Sequence, residues 1–271
     1  LNSCFKKGKH VVVLGSGFVS LQGACAALSR GMKVSVIELM NRIMPKALDA
    51  RGAELLSSRM KQSGVELRVN TLTEKVEHTD DNRILLHFND GTSIISDFII
   101  VGTGAKPNIR FLDNTGIKID DGILVDRQME TSSPGIFAAG DVAQVPSFTG
   151  TKQVVHPLWP TAVETGRIAG SCMAMSKTNY KGSLNMNVTQ VFDLTVASMG
   201  EFSGVEGNEN WVDETLPGDH YLKIVLKDGF PIGATCVGGA ELVSTLGLLR
   251  PLIREKIRLQ GNLGMLKENL A

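Results

Sequence analysis

The sequence lacks an excess of charge of either sign. Its 28 lysines and arginines balance 28 aspartates and glutamates, spread along 271 residues rather than massed. That balance leaves no electrostatic footprint for nucleic acid or an anionic membrane surface. No apolar run is long enough to cross a bilayer, and the first residues lack the apolar core of a secretion signal. We therefore expect a cytoplasmic protein that engages neither membrane nor nucleic acid. Cysteine is also scarce. Cys4, Cys25, Cys172 and Cys236 are far apart and form no CxxC or CxxxxC, and Cys25 and Cys172 fall on apolar helix faces, so no metal site and no redox disulfide is expected within this stretch. Internal repeats and low-complexity segments are absent. Five histidines occur, His10, His78, His87, His156 and His220; only His156 lies near a candidate site, and no partner for it is evident, so no catalytic residue is assigned. The chain starts at Leu1 rather than methionine, as a processed, cleaved or truncated chain would.

What the sequence does have is VVVLGSGFVSLQGACAAL, residues 11–28. Four apolar residues run into two glycines, then Leu21, Ala24, Cys25 and Leu28 recur at helical spacing: a strand, a tight turn and an amphipathic helix. Gly15 permits the sharp turn, Gly17 has no Cβ to block a pyrophosphate, and Ser20 is small enough for the helix to pack closely on the strand. The amides at the helix N-terminus, of Phe18 and Val19, can then hold a dinucleotide phosphate. A second apolar run, Val34 to Ile37, ends in Glu38, 21 positions after Gly17, where a carboxylate can take both hydroxyls of an adenosine ribose.

Along the chain, Asn41 to Pro45 reads as a loop carrying Arg42. Leu48 to Gln62 reads as a helix with Leu48, Leu55, Leu56 and Met60 inward, stopped at Ser63-Gly64, and Val65 to Val69 as a third strand. The period then changes to that of an antiparallel meander: Thr73 to His78, Arg83 to Phe88 and Ser93 to Val101, separated by turn-forming Asp80-Asp81-Asn82 and Asn89-Asp90-Gly91. A strand is expected at Ile123 to Asp126 and a buried parallel strand at Ile136 to Ala139, which puts Gly140 and Asp141 at a carboxyl end of the sheet, where ligands collect. Pro160 suits the start of a helix running to about Met175, whose first amides, near Thr161 and Ala162, can hold a ligand carbonyl. After a polar linker, Asn185 to Gly200 and Tyr221 to Val237 alternate as strands, with Lys227-Asp228-Gly229 as a hairpin turn, and Ala240 to Leu259 reads as a helical tail kinked at Pro251. The apolar strand surface here exceeds what a small separate domain would bury, which suggests a homodimer through residues 185–271.

The set GSGFVSLQGACAAL, Glu38, IIVGTGAKPN and TSSPGIFAAGDVA resembles the pyridine nucleotide-disulfide oxidoreductase superfamily, flavoproteins with two dinucleotide-binding domains. It looks most like the branch of NADH oxidases, nitrite-reductase flavin subunits and rubredoxin or ferredoxin reductases. The resemblance implies an α/β fold in three parts: a Rossmann-like NAD(H)-binding domain with an antiparallel β-meander insertion over residues 1–108, a segment of the FAD-binding domain over 109–178, and a C-terminal α+β interface domain over 179–271. It implies that Gly15, Gly17, Phe18 and Val19 hold the NADH pyrophosphate and Glu38 the adenosine ribose. Gly102, Thr103 and Gly104 would pass near the nicotinamide, Gly140 and Asp141 would meet the ribityl chain of FAD, and Thr161 and Ala162 the flavin pyrimidine edge. The implied reaction passes a hydride from NADH to FAD, then electrons to a small-molecule or small redox-protein acceptor.

Two departures matter. Gln22 stands where the family commonly has a glutamate beside the nicotinamide; glutamine can bond a carboxamide but cannot pair with a cation. No second GxGxxG occurs, so the half that grips the FAD adenosine is missing from this sequence, and the chain as given is expected to bind FAD weakly and to turn over little. Two alternatives stay open. One is a non-catalytic NADH-binding or assembly module. The other is an NADP-dependent enzyme, which Glu38 disfavours by repelling a 2′-phosphate and Arg42 partly favours.

Overall fold

The structure, a computed structural model, describes residue 6 and residues 8–150, 152–204, 207–213 and 220–259. The chain divides into two compact units, one made from residues 1–104 and 187–271 and the other from residues 105–186; Cys4 lies outside the described residues.

In the first unit the apolar run forms β1 (His10–Leu14), the glycines turn the chain, and α1 (Phe18–Leu28) follows. Next come β2 (Lys33–Ile37), α2 (Ala50–Gln62) and β3 (Glu66–Arg68). Asp49 caps α2 by accepting the Gly52 N–H at 3.1 Å, so this helix starts two residues later than its apolar pattern suggests. The meander is β4 (Thr73–His78), β5 (Ile84–Phe88) and β6 (Ser93–Ser96), paired antiparallel in the order β4-β5-β6. The run Ser93 to Val101, expected as one strand, is two: at Asp97 the chain leaves the meander, and β7 (Phe98–Val101) pairs parallel to β1. Asp97 marks the break because its carboxylate accepts the His10 N–H at 2.7 Å and its own N–H donates to the His10 carbonyl. The parallel sheet has the order β3-β2-β1-β7. One side of it is filled by Leu21, Ala24, Leu48, Leu56 and Met60, all fully buried; each large side chain contributes roughly 1.5–3 kcal/mol.

In the second unit β8 (Ile123–Leu124), β9 (Ala143–Pro146) and β10 (Gln153–Val154) form a small sheet, followed by α3 (Trp159–Met173). Its core gathers Ile123, Val125, Met129, Val145, Ala169 and Tyr180. The parallel strand expected at Ile136 to Ala139 is not formed. The Ile136 carbonyl and N–H are used within the preceding turn, by Thr131 and Ser133, which leaves a single bridge from Phe137 to Glu130 and Ile136 about half exposed. Gly140 and Asp141 consequently sit in a short 3-10 turn, Gly140–Val142.

The chain then returns to the first unit through β11 (Met186–Val191), β12 (Leu194–Gly200), β13 (Glu209–Asp213), β14 (Tyr221–Lys227), β15 (Phe230–Gly238) and α4 (Glu241–Arg254), which contains Pro251. The sheet order is β11-β12-β15-β14-β13, with the expected hairpin turn at Lys227-Asp228-Gly229. Val191, Phe192, Val196, Tyr221 and Val237 join the same core as α1 and α2, while α4 lies against β12 and β15. Part of the apolar strand surface of this region is thus covered within this unit, while Val188, Val212 and Leu248 stay exposed.

Candidate functional site

The turn after β1 is built on close approaches. Gly15 has φ +91°, and its N–H donates to the Ile37 carbonyl at 2.8 Å. A Cβ on Gly15 would come within 2.6 Å of the Gly102 carbonyl oxygen. Gly102 sits just past β7, its N–H bonded to Leu14 O at 2.9 Å, and its own carbonyl accepts the Ser20 hydroxyl at 3.0 Å. Any side chain at Gly102 would strike Ser20, so a small residue at position 20 and a glycine at 102 let α1 press onto the sheet. Gly17, by contrast, faces open space. It is the N-cap of α1, with no side-chain cap and no acidic residue in the first turn. The Leu21 N–H is the first to bond back, to Gly17 O. The amides of Phe18, Val19 and Ser20 are thus the unsatisfied donors of a helix start, where the helix dipole favours an anion. These features fit a pyrophosphate.

Glu38 lies at the end of β2 and is buried. Its Oε2 accepts the Ser16 N–H at 3.0 Å and the Ser16 hydroxyl at 2.5 Å, and its Oε1 accepts the Met40 N–H at 2.8 Å. A carboxylate offers about four lone-pair positions; three are filled by this chain, leaving one for a ribose hydroxyl unless Ser16 turns away. Ser16 Oγ also accepts the Met44 N–H at 2.9 Å. This second role of Ser16 is not visible in a glycine-spacing pattern, although a hydroxyl between two glycines is its one sequence signal. Arg42 lies on the same loop, its Nε donating to Leu48 O at 3.2 Å.

Gln22 is on the exposed side of α1, and its Nε2 donates to Thr189 Oγ1 of β11 at 2.9 Å. Thr189, which sequence reasoning did not single out, is buried. Thr103 and Gly104 follow Gly102 as exposed residues, Gly104 with φ +103°. In this unit Gly15, Ser20 and Gly102 are in direct contact, with Gly17, Phe18 and Val19 on the same turn and Glu38 joined to it through Ser16.

In the second unit the Gly140–Asp141 turn adjoins the start of α3. The Gly140 N–H donates to Thr165 Oγ1 at 3.0 Å, and a Cβ at Gly140 would lie 3.8 Å from that of Ala162. Asp141 is exposed and Thr161 buried. The Ala162 N–H already bonds to Leu158 O, and Pro160 has none. Trp159 and Thr161 therefore hold the donors left at this helix start, which has no side-chain cap. An uncapped helix start beside an exposed carboxylate suits a ligand carrying both carbonyls and hydroxyls. His156 Nδ1 is 2.8 Å from Ser183 Oγ.

Cys25, Cys172 and Cys236 are free thiols, and burial pushes Cys236 up to about 12. Among the described residues no group of three or more His, Cys, Asp or Glu could hold a metal ion, and no helix is long and apolar enough to cross a membrane.

A glycine turn between a parallel strand and an uncapped helix, with an acid at the tip of the next strand, defines a dinucleotide-binding type of α/β unit. The profile of the pyridine nucleotide-disulphide oxidoreductase family matches residues 3–166, and the chain belongs to that family. It is 27% identical to an NADH oxidase of Methanocaldococcus jannaschii over 92% of this chain and 58% of that protein. It is 30% identical to a nitrite reductase [NAD(P)H] of Bacillus subtilis over 87% of this chain and 29% of that protein. Among solved structures, a NAD-dependent persulfide reductase from A. fulgidus superimposes with a TM-score of 0.81 at 28% identity, over 91% of this chain and 49% of that one. The chain thus spans 58% and 29% of the lengths of these two curated relatives.

Proposed function

We propose that this chain is the nicotinamide-nucleotide-binding and flavin-contacting part of an NADH-dependent FAD oxidoreductase. Residues 1–108 would serve as the NAD(H) domain, 109–178 as a piece of the FAD domain and 179–271 as an interface domain. The observation that carries the reading is the uncapped start of α1, with Gly17 open above it and Glu38 beside it. When bound, NADH would supply a hydride and FAD the group that takes it up, with a small molecule or a small redox protein as the final acceptor. The chain's own part is to bind and orient. Phe18 and Val19 N–H groups hold the pyrophosphate, Glu38 selects an unphosphorylated ribose, and Gln22, whose Nε2 is engaged by Thr189, presents its oxygen as an acceptor to the carboxamide. Gly102, Thr103 and Gly104 give the nicotinamide a path with little side-chain bulk. Asp141 accepts hydroxyl donors of the flavin side chain, and the α3 start supports a flavin carbonyl. The scattered free thiols of Cys25, Cys172 and Cys236 suit a reducing cytoplasm. With no second glycine-rich fingerprint in 271 residues, this stretch alone binds FAD weakly.

A non-catalytic NADH-binding module is the second reading, favoured by the replacement of a family glutamate with Gln22 and its attachment to Thr189. Direct titration with NADH and NADPH, followed by anaerobic mixing with FAD and NADH, separates the two. Flavin bleaching supports the oxidoreductase. NADH binding without bleaching, even with flavin in excess, supports the module. Tighter binding of NADPH than NADH would overturn the role given to Glu38.

A further inference from the structure

The loop from Glu38 to Asp49 is held at both ends. At the near end Ser16 Oγ donates to Glu38 and accepts the Met44 N–H. Met44 is buried with φ +46°, and its carbonyl accepts the N–H groups of Ala47 and Leu48, each at 2.9 Å, so residues 44–48 form one tight turn. At the far end the loop is bonded to the C-terminal sheet, about 170 to 190 residues away in sequence. Thr235 Oγ1 of β15 lies 3.1 Å from Ala47 O and 3.3 Å from Ala197 O of β12, and its one hydroxyl proton is shared between these two acceptors. Tyr221 Oη and Lys223 Nζ, both on β14, donate to Asp49 Oδ2 at 2.6 and 3.1 Å, and Lys223 Nζ also donates to Ser203 O at 3.2 Å.

Tyr221, Lys223 and Thr235 are all buried, on a sheet face that also carries Val196, Ser198, Val225 and Val237. Packing alone does not call for these polar groups, since a buried lysine–aspartate pair is costly to desolvate and an apolar replacement of similar size is often as stable. Such a pair does give geometry, because Tyr221 and Lys223 converge on one carboxylate oxygen of Asp49 from fixed positions on one strand. We infer that Tyr221, Lys223 and Thr235 are positioning residues for nucleotide selection, fixing Ala47 and Asp49 so that Met44 holds Ser16 and Ser16 holds the Glu38 carboxylate. Ala47 is three positions after Met44 inside a hydrogen-bonded turn, so a shift at Ala47 reaches the Met44 N–H and releases Ser16. Asp49 is held below the usual carboxylate range: burial works to raise it, and hydrogen bonds from Tyr221, Gly52 and Lys223 outweigh that. The anion that Lys223 and Tyr221 hold is thus present at neutral pH.

The inference rests on the nucleotide site proposed above, and the test separates the two. NADH and NADPH are titrated directly against the 271-residue chain and against Lys223→Met, Tyr221→Phe, Thr235→Val, Lys223→Arg and Leu249→Ala. Leu249 lies in α4, on the opposite face of the C-terminal sheet, and serves as the control for lost stability alone. Lys223→Met should raise the NADH dissociation constant by about tenfold and cut the preference for NADH over NADPH by roughly fivefold, a size usual for coupled sites. Lys223→Arg should restore most of that preference. Thr235→Val keeps the shape of the side chain and should lower the preference by about twofold even if Lys223→Met fails to fold. Leu249→Ala should leave it unchanged. An unchanged preference in Thr235→Val, or equal losses for both nucleotides that match those of Leu249→Ala, overturns the inference while the nucleotide site stands. No nucleotide binding by the unaltered chain overturns the site itself, and the inference with it.

Discussion

In residues 1–104 and 187–259 the glycine turn rests on a core that runs from Val11 and Leu21 through Leu56 and Met60 to Val196 and Val237. In residues 105–186 the Gly140–Asp141 turn rests on strands of two to four residues and a smaller cluster around Met129 and Val145. The second unit also exposes large apolar side chains on its own surface, Trp159 at 80% and Phe111 at 70%. One region has a core large enough to hold its site rigid, and the other presents site elements with little behind them. Rigid amide donors are what a diphosphate site needs, because misplacement costs affinity directly. The flavin contacts proposed for the second unit would therefore rest on less core.

The largest expected difference concerns local stability. In native-state hydrogen exchange, amides of β9 and α3 should show protection about 3 kcal/mol or more below those of β1 and β15. Equal protection in both units would break the comparison. A smaller effect separates two glycines of one turn. Gly15→Ala places a Cβ against the Gly102 carbonyl at positive φ, and should cost roughly 2–4 kcal/mol in a denaturant titration. Gly17→Ala has open space and an ordinary φ of −71°, and should stay within about 1 kcal/mol while still weakening NADH binding. If both were neutral to folding, the close approach of β1 and β7 would be wrong.

The smallest effect is acid sensitivity at Asp49. Its folded pKa is depressed, so the stability it contributes is complete above the unfolded value of about 3.9 and is lost as pH falls through the lower folded value. Thermal melts of Asp49→Asn should therefore lie below those of the unaltered chain at pH 6, and the gap should narrow towards pH 3. A gap independent of pH would show that the carboxylate charge is not what Tyr221 and Lys223 hold.

The strand, turn, helix and second strand around Gly15 were legible because every residue that defines them lies within about 30 positions and follows a local period. The hairpin at Asp228-Gly229 was legible for the same reason. What was not legible depends on partners far away. Ser93 to Val101 has the composition of one strand, and the pairing of Asp97 with His10 divides it. Ile136 to Ala139 has the composition of a buried strand, but the turn before it uses the backbone groups of Ile136. The strand Glu209–Asp213 is polar and exists through its pairing with Leu222 to Leu226. The attachment of the C-terminal sheet to α1 and to the loop before α2 runs through Gln22–Thr189, Asp49–Tyr221 and Ala47–Thr235, pairs that no periodicity connects. For the candidate site, spacing placed Glu38 beside the glycine turn; it did not show that Ser16 and Met40 already occupy most of that carboxylate.

The most direct measurement is a crystal structure of this chain grown with NADH. The account predicts the diphosphate within hydrogen-bond distance of the Phe18 and Val19 amides, with a ribose hydroxyl on Glu38. Nucleotide bound elsewhere, or a diphosphate at α1 with the ribose turned away from Glu38, would contradict it.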